Sequence, residues 1–164
     1  MGYLHIHRTE ERARHERDPQ QDRRAGRGEP VRYGTSVTVR TPFAETVAWV
    51  REVLAGHGFG VLTEIDVTAT LREKLGEQLE DYVILGACSP PFAHRALGID
   101  RGIGLLLPCN IVVRAVGDST IVEALDPQVM VTLTGRPELK PIADEVARSL
   151  SNALAELTPE ESAR

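Results

Sequence analysis

The stretch from Tyr82 to Val116, YVILGACSPPFAHRALGIDRGIGLLLPCNIVVRAV, constrains this chain more than any other. It opens on an apolar run, Tyr82 to Ala87, too uniform to alternate between a wet and a dry face, as expected for a strand covered on both sides. After Cys88, Ser89 stands where an N-cap belongs and Pro90 where a helix begins. Phe92, Ala93, Ala96 and Leu97 then give that short helix a buried side, and Gly98 stops it. The second apolar run, Ile103 to Val116, is long for one strand, and Pro108 inside it cannot donate to a ladder. Extended structure on both sides of a bulge or bend at Pro108 is therefore expected. Two strands around a short crossover place this segment in the middle of a sheet.

The elements on either side follow from periodicity. Tyr33 to Arg40 alternates as a half-buried strand, and Thr41-Pro42 starts a helix whose stripe is Phe43, Val47, Val50 and Leu54, widened by Trp49 and Val53. His57, in the last turn before Gly58, suits the helix dipole. Phe59 to Ile65 returns as a strand, and Asp66 or Thr68 caps a short helix closed by Gly76. Downstream, Gly117-Asp118-Ser119 turns the chain so that Thr120 to Leu125 pairs antiparallel with Ile111 to Val116, and Asp126-Pro127 ends that strand. Val129 to Leu133 reads as a short extended piece. From Pro137 the longest helix carries Leu139, Ile142, Val146, Leu150, Leu154 and Leu157 on one face. The order predicts an α+β two-layer sandwich, a mixed sheet of about five strands packed against helices.

Residues 1–31 are different. They mix arginine, acids, glutamine and histidine with few aliphatic residues, so they cannot bury enough surface to offset their ordering entropy and read as a disordered charged tail. His5, His7 and His15 lie there, and the tail could frame a short helix around Thr9 to Arg17 on a partner. The domain then runs over residues 32–158, with a flexible C-terminus at 159–164.

The function classes narrow by exclusion. A net charge of -5 over 164 residues lacks the concentrated basic face of a nucleic-acid binder. No apolar run approaches a membrane span and the N-terminus carries no secretory segment, so a cytoplasmic protein with free thiols is expected. There is no cofactor fingerprint, nucleophile elbow or zinc spacing. The glycine-rich GIDRGIG at Gly98 to Gly104 precedes a strand rather than opening a helix after one, so it reads as a turn and not a phosphate cradle. Cofactors and catalytic residues stay unknown.

What remains is a small set of candidates. Cys88 at a strand end and helix start, and Cys109 after Pro108, are candidate thiols for redox, sulfur-transfer or metal chemistry, with His94 assisting. If the two strands were parallel, Cys88 and the start of the second would lie at opposite edges of the sheet. The leading expectation is a cleft near Cys88 to Pro91 and Pro108 to Asn110 that binds a small molecule, with Ser89, His94, Pro108, Asn110 and Asp126 as ligand-binding candidates and no metal. A scaffold without catalysis is the third reading.

Three segments carry a resemblance: FGVLTEID at Phe59 to Asp66, YVILGACSP at Tyr82 to Pro90, and GLLLPCNIVV at Gly104 to Val113, closed by Asp126-Pro127. Together they resemble the domain of unknown function 302 family over roughly Tyr33 to Leu157. The resemblance implies a small bacterial or archaeal α+β domain, similar to proteins known to form homodimers, with no settled activity. The family usually shows Asn where this chain has Ser89, a change that keeps a capping side chain.

Overall fold

A computed structural model describes residues 33–158, so the charged stretch 1–31, its histidines and residues 159–164 lie outside the described residues. Five strands form one sheet: β1 Gly34–Val39, β2 Gly60–Asp66, β3 Tyr82–Cys88, β4 Cys109–Val116 and β5 Ser119–Leu125. Their order is β1-β5-β4-β3-β2, and every neighbouring pair is antiparallel. The expected α+β sandwich is there, but the sheet is not mixed. The reason is the β3 to β4 connection, which leaves and re-enters at one end of the sheet, so that Ala87 stands opposite Cys109.

That connection also corrects the expected long strand. After helix α3, Pro90–Ile99, residues Arg101–Leu106 form a 3-10 turn, and β4 begins only at Cys109. Asp100 sets the turn by accepting from Gly102 N at 2.8 Å, which explains the glycine-rich segment without a ligand. The turn buries Ile103 completely and leaves Leu105 92% exposed, a periodicity that mimics a strand in sequence.

Helices cover one face of the sheet. Helix α1, Phe43–Gly56, starts after Pro42, and buried Thr46 donates its hydroxyl to the Thr41 and Pro42 carbonyls, both at 3.0 Å. Thr120 of β5 donates to the same Thr41 carbonyl at 2.9 Å, which ties the start of α1 to the sheet. Helix α2, Val67–Leu75, is capped by Asp66, whose Oδ1 accepts from Ala69 N at 2.7 Å, and ends in left-handed Gly76. Helix α4, Gln128–Thr134, replaces the expected extended piece, because Asp126 Oδ1 accepts from Gln128 N at 2.9 Å and turns the chain after Pro127.

A 3-10 turn at Pro137–Leu139 leads into the longest helix, α5, Lys140–Glu156. Its anticipated stripe is buried throughout, from Leu139 to Leu157. Leu85, Ile111 and Val113 of the sheet meet it and α1 in one core, each large side chain contributing about 1.5–3 kcal/mol relative to exposure. Arg95 of α3 forks onto Glu145 of α5 at 3.0 and 3.1 Å, and His57 Nε2 lies 2.7 Å from Glu156, so the helix layer is laced at its exposed rim. No helix among the described residues is long and apolar enough to cross a membrane.

Candidate functional site

The antiparallel register divides the candidate residues between the two faces. On the helix side, Ala87, Cys88, Ser89, Phe92 and Cys109 converge with Ile142 and Val146 of α5 around a cavity of about 20 Å³. That is room for about one water, and the surroundings are apolar. Cys109 is buried and Cys88 partly so. Burial pushes the Cys88 thiol up, and burial, then the neighbouring Cys88, pushes Cys109 up to about 11. Both are therefore protonated at neutral pH, and Cys88 lacks the lowering that a helix start can give a thiol. Ser89 occupies the N-cap position of α3, but its side chain makes no capping bond.

The other candidates separate from this cavity. His94 is exposed on α3, and Asp126 is engaged at the start of α4. Pro108 belongs to the uncovered face. A side chain at Gly86 would overlap Thr63 Oγ1 and lie 2.8 Å from Pro108 Cγ, so only glycine lets β2 and the Pro108 bend close over β3. Among the described residues no group of three or more His, Cys, Asp or Glu is arranged to hold a metal ion.

Asn110 stands opposite Gly86 on that uncovered face. There it lines a basin of about 240 Å³ with Tyr33, Gly34, Tyr82, Val112, Glu123 and Leu125. Strand alternation explains the composition: Tyr82 of β3, Asn110 and Val112 of β4, and Glu123 and Leu125 of β5 all point away from the helices. Glu123 Oε2 accepts from Arg114 Nε at 3.0 Å, with both side chains more than three-quarters buried. Burial raises the Tyr82 hydroxyl, Glu123 adds to the rise, and Arg114 opposes it. The ordinary ligand pocket for a drug-sized molecule is about 300–1,000 Å³, so this basin suits something smaller.

Tyr33, Tyr82 and Glu123 escaped the sequence reading. The signal was present in the period-two phase of each strand, but only the order β1-β5-β4-β3 makes the three residues neighbours.

Comparison with known proteins agrees with the fold. An uncharacterized conserved protein DUF302 from Bacillus stearothermophilus, known from its crystal structure, is similar at 32% identity and a TM-score of 0.73, over 77% of this chain and 99% of its own. No curated protein matches. The family described as domain of unknown function DUF302 matches residues 35–157, and the chain belongs to that family.

Proposed function

We propose that this protein is a small-molecule-binding domain whose ligand sits in the basin on the uncovered sheet face. The observation that carries the reading is the basin itself: an apolar floor of Val112 and Leu125, with Asn110, Glu123 and two tyrosines as the polar groups. The cleft expected around Cys88 to Pro91 has space for about one water, which moves the proposal to the Asn110 side of the same bend. A fragment library screened by amide NMR on the full chain tests it. Hits should shift the Tyr82, Val112 and Glu123 amides, and Val112→Trp should abolish those shifts. Hits that cluster instead at Cys88 and Phe92 would sink the basin.

A homodimer belongs to the same proposal. Strand β2 is an edge strand with a bulge at Leu62, and Leu62 and Ile65 stand exposed on it. A second copy laid against this edge covers both side chains and leaves the basin open. Light scattering should give twice the chain mass, and Leu62→Asp with Ile65→Asp should halve it. A wild-type monomer at tens of micromolar would remove this part.

Thiol chemistry is the second reading, favoured by one observation: Cys88 and Cys109 line one cavity. It requires that Cys88→Ala with Cys109→Ala abolish function, whereas the basin reading expects little change.

A further inference from the structure

The basin's lining says which ligand charge it suits, and this inference rests on the reading above. Glu123 is the only ionisable group with a formal charge at neutral pH among the lining residues. Its Oε2 is taken by Arg114, which does not itself line the basin, so an incoming ligand meets the carboxylate and not the guanidinium. Tyr33, 65% exposed, and half-buried Tyr82 supply aromatic rings, whose faces carry negative potential and attract cations. The surrounding field has the same sign. Residues 33–158 contain sixteen carboxylate side chains against ten Lys and Arg, and at the Tyr82 hydroxyl the negative charges of Glu123 and Glu80 act against the positive charge of Arg114.

We infer that the basin takes a small organic cation, an ammonium or guanidinium on a compact apolar body. Glu123 is its counter-charge, Tyr33 and Tyr82 its aromatic walls, and Val112 with Leu125 its apolar floor. An anion would face the Glu123 carboxylate, and the Arg114 guanidinium that partly offsets it stands outside the lining. A neutral ligand of equal shape would keep the apolar contacts and lose both the ion pair with Glu123 and the cation-π attraction.

The test uses three probes of near-equal size: benzylamine, benzyl alcohol and benzoate, each titrated into the 15N-labelled full chain. Benzylamine should shift the Tyr82, Val112 and Glu123 amides and saturate in the millimolar range. Benzyl alcohol and benzoate should bind at least about tenfold more weakly. Glu123→Gln should weaken benzylamine about tenfold and benzyl alcohol much less. Tyr33→Ala, at a largely exposed position that does not threaten the fold, should weaken benzylamine severalfold. Basin amides that respond equally to all three probes, or best to benzoate, overturn the cation inference and leave the basin reading standing. Unchanged benzylamine affinity in a Glu123→Gln protein with a native amide spectrum also overturns it. No basin response to any probe overturns both.

Discussion

Glu123 accepts from Arg114 across the β4 to β5 ladder on the diagonal, since Val112 and not Arg114 stands directly opposite Glu123. The pair lies on the uncovered sheet face, more than three-quarters shielded from water, and joins β5 to the central strand β4 where no helix supports them. Removing Glu123 leaves a shielded guanidinium without its partner. Glu123→Ala should therefore cost about 1 kcal/mol in chemical denaturation, and the cost should shrink as salt is raised. A difference that ignores salt would mean the carboxylate acts through packing alone.

Gly86 lies where the side chains of Thr63 and Pro108 close over β3. Gly86→Ala inserts a methyl against Thr63 and Pro108, and overpacking of this kind costs about 1–3 kcal/mol. Adding Thr63→Ala removes the nearest obstruction but not Pro108, so the double variant should recover part of the loss. Strict additivity of the two changes would show that Thr63 and residue 86 do not meet.

The buried thiol has a signature at high pH. Cys109 is raised from the ordinary 9.0 to about 11, so between those values the unfolded chain has lost the proton that the folded one keeps. Unfolding stability is then fully present below pH 9, falls as pH rises from 9 to 11, and levels off above, the total being roughly 3 kcal/mol. Urea denaturation of Cys109→Ala across the same range should lack this component of the slope. In the native protein Cys88, the more exposed of the two, should alkylate before Cys109.

Asp66 caps a helix that contributes nothing to the fully buried core. Asp66→Ala should cost about 1 kcal/mol locally, read as faster hydrogen exchange in Val67–Leu75. Exchange in β4 should stay unchanged. Equal acceleration in both would mean that α2 unfolds only with the whole domain.

Wherever a local rule had one answer, the residues alone settled the element. The stripe from Leu139 to Leu157 has only one dry face at helical period, the Gly117 to Ser119 turn has only one hairpin to make, and Asp66 with Gly76 brackets a helix whatever it packs against. At Ile103 to Leu107 the same reasoning failed, because an apolar run with glycines satisfies a strand and a 3-10 turn equally, and Asp100 decides between them through a side-chain bond invisible to periodicity. Val129 to Leu133 went the same way at Asp126. The site depended further on tertiary structure. Period two puts Tyr82, Asn110 and Glu123 each on one face of its own strand, but which strands are neighbours is a matter of non-local pairing. Once the β3 to β4 connection returned to the end it left, Cys88 and Cys109 came together under the helices, and Asn110 turned away from them toward the two tyrosines.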